Sequence, residues 1–252
     1  VGAAALRALA GRWRGLDARS LLGVLENARG AVAAGRLAPD VYCDFLLALR
    51  EAPERHAVEE IAGGIAWVCD AWEEAASLPG CAAWARRVLG GHFERLGTSP
   101  RPGEPEDDAI LRPQVLVAIG RRGRDARAIE AAAEGAARYH KSPASVPADL
   151  APAFLALAAH AGRLGFEALR DLVVRAATPD QRLAAAVGLG MLPVGGPSAR
   201  ALDFTLDEAF RAQDFRTVFH RAIGRPETRA QAFAWLKNSW AGVARRQPEI
   251  VM

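Results

Sequence analysis

Breakers limit the length of every element this chain can build. Gly35, Pro53, Pro79, Gly97, Gly123, Pro143, Gly165, Pro179, Gly195 and Pro226 interrupt it at short intervals, and the stretches between them carry helical period. In 18–34, Leu21, Leu25, Ala28 and Val32 recur at steps of four and three and so share one face. In 54–77, Val58, Ile61, Ile65, Val68, Cys69 and Trp72 do the same, while Glu59, Glu60, Asp70, Glu73 and Glu74 fall mostly elsewhere. The same reading predicts helices at 40–52, 80–96, 125–140, 149–163, 165–177, 180–192, 199–212, 214–224 and 227–246, several opened by a capping type such as Asp40, Asp125, Asp149 or Asp180.

Loops of a few residues make sequence neighbours antiparallel neighbours in space. A series of similar α-hairpins, each able to bury its apolar stripe only by stacking on the next, predicts an all-α fold: a HEAT/armadillo-like superhelix of antiparallel hairpins. The expectation is one α-solenoid domain over 1–252. The stretch 98–107, with Pro100, Pro102, Gly103 and Pro105, is the place where two lobes would divide. Composition agrees, since 51% apolar content supports a sizeable core and the Ala and Leu load favours helix over strand.

The basic residues are almost wholly Arg, because Lys141 and Lys237 are the only lysines. A net charge of +3 with acidic residues mixed throughout gives no phosphate-binding stripe, which argues against a nucleic-acid partner. The arginine groups Arg86-Arg87, Arg121-Arg122 with Arg124, and Arg245-Arg246 fall at predicted helix ends, where cations meet the C-terminal dipole without any ligand. No apolar run approaches the roughly 20 residues of a bilayer crossing, so no membrane span is expected. Cys43, Cys69 and Cys81 are odd in number and form no C-x-x-C, which reads as free buried thiols in a reducing, cytoplasmic setting. A start at Val1 without a targeting signal suggests a piece of a longer polypeptide.

The chain lacks the patterns that catalysis would use. His56, His92, His140, His160 and His220 lie far apart and none is followed by Glu, so the H-E-x-x-H helix of zinc peptidases is absent. There is no G-x-S-x-G elbow, and Gly63-Gly64, Gly90-Gly91 and Gly195-Gly196 match no phosphate loop. The glycine pairs inside helices are read instead as points of close helix contact. No catalytic residue, metal ligand or cofactor site is expected.

The last third is more specific. Residues 210–240 read FRAQDFRTVFHRAIGRPETRAQAFAWLKNSW. Arg211, Gln213 and Asp214, then Gly224 and Arg225, then Trp235, Leu236, Asn238 and Trp240 make this segment resemble the close of the C-terminal helical domain of zinc aminopeptidases of the aminopeptidase N and endoplasmic-reticulum-aminopeptidase type. Asp17, Arg19, Leu21 and Leu22, Gly35-Arg36-Leu37 and Leu49-Arg50 look like its opening hairpin. Leu111-Arg112 with Val115-Leu116 looks like its central helix, and Gln181-Arg182 through Gly188-Leu189 like a later one. Pro113 departs from that pattern unless the central helix begins there. On the final predicted helix, Phe233, Leu236, Trp240, Val243 and Ala244 share a face and Trp235 points nearly opposite. Its ring would either fill the inner layer or meet another domain.

The resemblance implies a non-catalytic lid of a bacterial zinc-dependent aminopeptidase, which encloses the active-site chamber and limits peptide access. Zinc would belong to the absent catalytic domain. The partners would be the catalytic and N-terminal domains of the same polypeptide and peptide substrates, contacted through Arg112, Arg182, Arg211 and Trp235. A free-standing α-solenoid that binds a protein or peptide in its groove is the alternative.

Overall fold

The computed structural model describes residues 2–71 and 78–247, and among these there is no strand. Two compact units result, Val1–Asp125 and Ala126–Met252. The first holds α1 (Ala3–Ala10), α2 (Ala18–Ala33), α3 (Pro39–Ala48), α4 (Arg55–Ala71), α5 (Leu78–Leu96) and α6 (Glu106–Arg121). The second holds α7 (Ala126–Lys141), α8 (Ala151–His160), α9 (Phe166–Val174), α10 (Pro179–Leu189), α11 (Gly196–Phe204), α12 (Phe215–Gly224), α13 (Pro226–Asn238) and α14 (Trp240–Arg246). Trp72 and the acidic pair Glu73-Glu74, placed by periodicity on the end of the fourth helix, lie outside the described residues.

Alternate helices stack within each unit. In the first, α4 packs on both α2 and α6; in the second, α10 packs on both α8 and α12. That is how consecutive hairpins bury their stripes. The centre of the second unit is α8, in which Ala151 and every residue from Ala153 to Ala159 is buried. A helix apolar on all sides has to lie inside, and burying Phe154, Leu155 and Leu157 contributes about 1.5–3 kcal/mol each. The alanines between them keep α8 thin enough for α7 and α10 to approach.

Two helices escaped the periodicity. The first is α1, which follows the N-terminus directly. The second is α6, whose acidic first turn (Glu106, Asp107, Asp108) suits the positive end of the helix dipole. Pro113 lies in its interior, not at its start. The ring removes one backbone bond, but Leu111, Arg112, Val115, Leu116 and Ile119 are all buried, and this packing holds the helix through the proline. A third difference lies at the C-terminus, where the helix expected over 227–246 breaks at Ser239 (φ −100°, ψ 9°) into α13 and α14. Phe233 and Trp240 are exposed, and the buried side of α13 is Thr228 and Ala232.

Caps also shift. Asp17 caps α2 by accepting from Ser20 N at 2.9 Å, and Thr178 caps α10 by accepting from Gln181 N at 3.2 Å. Asp40 and Asp180 sit inside the first turn, each behind a proline at the first position, where they meet the dipole rather than cap the end. Asp149 is two residues ahead of α8, whose cap position is Leu150. Arg86 and Arg87 lie in the middle of α5 rather than at a helix end, and Arg86 donates to the Gly123 carbonyl.

The loops are tied down by side chains. The stretch 98–107 lies within the first unit, where Glu104 accepts from Arg101 N at 3.0 Å and pairs with Arg112. In the loop before α11, Gly195 takes φ +100°, a conformation open to glycine. Its N–H donates to Gln231 Oε1 at 2.9 Å and its carbonyl accepts from Gln231 Nε2 at 2.8 Å.

The glycines divide by contact. A Cβ on Gly64 would lie 2.5 Å from Tyr42 Oη, and one on Gly135 would enter the Phe154 ring, so these glycines do permit close helix approach. Gly90 and Gly91 face open space and do not. Gly135→Ala should therefore destabilise the protein by about 1–3 kcal/mol through overpacking. Gly90→Ala should leave it unchanged or stabilise it by up to about 1 kcal/mol through helix propensity. Urea unfolding midpoints of the two variants check the pair.

Candidate functional site

Arg112 is fully buried on α6. Its Nε donates to the Leu96 carbonyl at 3.0 Å, its Nη1 to Glu104 Oε1 at 2.9 Å, and its Nη2 to Glu104 Oε2. The guanidinium thus closes the end of α5, anchors the proline-rich loop and presents no face to solvent. Its neighbour, Glu104, is held below the ordinary value of 4.5, first by the Arg112 hydrogen bond and then by the Arg101 N–H, against the opposing effect of burial.

Arg182 and Arg211 come together in the second unit. Arg182, in the first turn of α10, donates from Nη1 to the Ala176 carbonyl at 3.2 Å. Arg211 is exposed just before a single 3-10 turn, Ala212–Asp214. Both act on Asp214, whose carboxyl is pushed up by burial while the two guanidiniums pull it down.

Trp235 lies half-buried on α13. Its Nε1 donates to Asp203 Oδ1 of α11 at 2.7 Å, and its ring leans on Phe215 and Phe219 at centroid distances of 6.4 and 6.3 Å. Phe215 and Phe219 stack on each other at 5.4 Å and 10°. Beneath them Leu202, Ala222 and Ala232 form a closed core. These contacts lie within its own unit and leave the side chain half-buried.

On the other side of the phenylalanine stack lies a hollow of about 380 Å³. Phe215, Phe219, Leu236, Trp240 and Val243 line it, with Arg216 and His220 of α12 at its margin and no carboxylate among its walls. The hollow was not foreseen from the sequence, although the i, i+4 pair Phe215 and Phe219 was a visible signal. Leu236, Trp240 and Val243 reach it together, from both sides of the break at Ser239.

The histidines stay apart: His56 pairs with Glu59, His140 with Asp171 and His160 with Glu227. His92 is buried on α5, and burial, then Arg95, lowers its basicity. Among the described residues no group of three or more His, Cys, Asp and Glu is placed to hold a metal ion, so zinc finds no fitting donor set here.

The profile of the ERAP1-like C-terminal domain family matches residues 2–251, nearly the whole chain. Aminopeptidase M1-D of Oryza sativa subsp. japonica is 26% identical over 151 residues, a match that covers 58% of this chain and 17% of that protein. The chain therefore spans a minor part of the length of the relative it matches.

Two outcomes follow from the geometry. The contribution of Glu104 is complete above its unfolded value near 4.5 and is lost as pH falls through the lower folded value. As pH falls below that unfolded value, the wild type should lose more stability than Glu104→Gln, read as the fall in urea midpoint with acid. For Trp235, replacement by Phe keeps the ring stack and loses the Asp203 bond, at a cost of about 1 kcal/mol, whereas Trp235→Ala should cost about 3 kcal/mol. Equal costs for the two Trp235 variants would mean that the stack contributes nothing.

Proposed function

Because the chain belongs to the ERAP1-like C-terminal domain family, we propose that it is the non-catalytic lid of a bacterial zinc-dependent aminopeptidase, enclosing the active-site chamber and limiting which peptides enter. The observation that carries this reading is the extent of the family match, which runs from residue 2 to residue 251 and leaves no room for a catalytic domain within the chain. The relative's name supports the peptidase assignment, and the 17% coverage of its length fits a domain carried by a larger enzyme. In that enzyme zinc would polarise the scissile carbonyl and activate water, from a site outside this chain.

The chain's own contribution would be shape and charge. Arg182 and Arg211 are the arginines available to a peptide, because Arg112 is wholly engaged inside the first unit. As the two cations acting on Asp214, they offer guanidinium donors suited to peptide carbonyl or carboxylate oxygens. Trp235 would be the third contact, held by its Asp203 bond and the Phe215 and Phe219 rings. No helix among the described residues is long and apolar enough to cross a membrane. The three free cysteines suit a reducing compartment, and we place the enzyme in the cytoplasm on that ground.

The test compares the whole polypeptide with a form ending before Val1 on a short and a long peptide. The complete enzyme should discriminate between them by length, and the truncated one should lose that discrimination. The isolated chain should hydrolyse neither. In the complete enzyme, Arg182→Ala with Arg211→Ala should raise KM for the long peptide by roughly tenfold, about one charge-assisted hydrogen bond, with kcat for the short peptide unchanged. Turnover by the isolated chain, or an upstream reading frame without H-E-x-x-H, would overturn the assignment and favour a free-standing peptide-binding solenoid.

A further inference from the structure

Among the described residues, the hairpin of α12 and α13 is covered on one side, where α12 packs on α10 and α11 and α13 packs on α11. Its other side, continued by α14, holds the hollow of about 380 Å³, and no residue of α10 or α11 lines it. Trp240 in its wall is 44% exposed, and Phe233, one turn before Lys237, is 53% exposed. Positive charge is concentrated in the same segment. Residues 215–247 contain seven Arg or Lys against Glu227 alone, although the chain carries a net charge of only +3. Glu227 is paired with Arg225, while Arg216, Arg229, Lys237 and Arg245 are exposed. We propose that this face is a docking groove for an acidic amphipathic helix of a partner protein, whose apolar row enters the hollow and whose carboxylates meet Arg216 and His220 at its margin.

Shape favours a helix as the occupant. Phe215 and Phe219 stand four residues apart on α12, and Leu236, Trp240 and Val243 form the facing row on α13 and α14. Two such rows leave a groove that the side-chain ridge of a third helix fills. Elsewhere in this unit the chain meets that need itself, as where α10 lies on both α8 and α12. Charge makes the occupant acidic, because the walls hold no carboxylate to oppose it. A second copy of the chain would bring the same cations against themselves across a two-fold axis, where like charges repel. A flat anionic lipid surface would reach the exposed rings of Phe233 and Trp240 but leave the half-buried Phe219 and Leu236 in their recess.

The bound helix presents apolar anchors at successive turns of one face, and these enter the hollow against Phe219, Leu236 and Trp240. An Asp or Glu beside the anchors reaches the Arg216 guanidinium, whose planar fork takes both carboxylate oxygens. His220, next to Phe219 in the wall, offers a ring nitrogen to the neighbouring turn. Trp240 is the main anchor on this side, since a large ring exposed in the free chain becomes buried in the complex. The exposed cations steer the encounter, and their pull weakens as salt screens them. The groove is independent of the peptidase reading, because its occupant is a separate protein rather than a substrate.

The probe is a synthetic peptide of about five helical turns, with Leu along one stripe and Glu on its flanks. One control carries Lys in place of Glu, and another has the same residues in an order without a stripe. Each is titrated into the purified chain by calorimetry, and the indole N–H signal of Trp240 is followed by NMR. The acidic helix should bind, shift that signal and weaken as salt is raised, with both controls weaker by roughly tenfold or more. Arg216→Glu and Trp240→Gln should each weaken it roughly tenfold, through loss of a charge-assisted hydrogen bond or of an anchor. Arg138→Glu, at an exposed position on α7, should leave binding unchanged, and the whole polypeptide should bind as tightly as the chain. Equal binding of the control without a stripe, equal effects of Arg138→Glu and Arg216→Glu, or no binding by the whole polypeptide would overturn the proposal. So would tighter binding to an oligonucleotide or to phosphatidylglycerol vesicles, or dimerisation of the free chain that Trp240→Gln abolishes. The three peptides on the wild type decide by themselves, so a variant that fails to fold leaves the result intact.

Discussion

A short helix that ends inside a stack leaves carbonyls with no partner in their own helix and little water to replace one. This chain meets that constraint mainly with arginine. Arg112 closes α5 at Leu96, Arg175 donates to His140 at the end of α7, and Arg182 takes Ala176 just beyond α9. Arg225, itself buried, spans Met191 and Leu192 beyond α10, and Arg229 takes Ile223 and Gly224 at the end of α12. A planar fork with several donors can serve carbonyls and still face a carboxylate: Arg112 takes one carbonyl and Glu104, and Arg225 takes Met191, Leu192 and Glu227. Lysine offers no such fork. The near absence of lysine thus acquires a structural use.

Small residues answer the complementary constraint, that of distance between helix axes. Alanines along α8 and α10 and the glycines at 135 and 188 let the second unit pack aromatic and leucine side chains across thin helices. The first unit uses the same device once, where Gly64 receives the Tyr42 ring edge. Gly90 and Gly91 show that a glycine pair in a helix is not in itself a contact signal; the opposing helix decides.

The candidate site inherits both constraints. Arg112 resembles a family arginine in sequence, yet the fold turns it inward because the end of α5 needs a donor. Arg182 and Arg211 belong to different segments, and both act on the charge of Asp214. The hollow beside Phe215 and Phe219 takes its walls from α12 and from the helices on either side of Ser239. Periodicity does not mark the break at Ser239, because no proline or glycine stands there.

The sequence by itself determined the class of fold, most helix positions and the family, because breakers, apolar period and the pattern over 210–240 are local properties that a single chain segment expresses. It did not reveal α6 through its apolar period, only through the resemblance at Leu111-Arg112 and Val115-Leu116, since the helix runs through an interior proline that buried contacts outweigh. Nor did it determine which arginines close helix ends and which remain exposed. Those were decided by the tertiary structure alone, because the partner of each guanidinium is a carbonyl or carboxylate that only packing brings within reach.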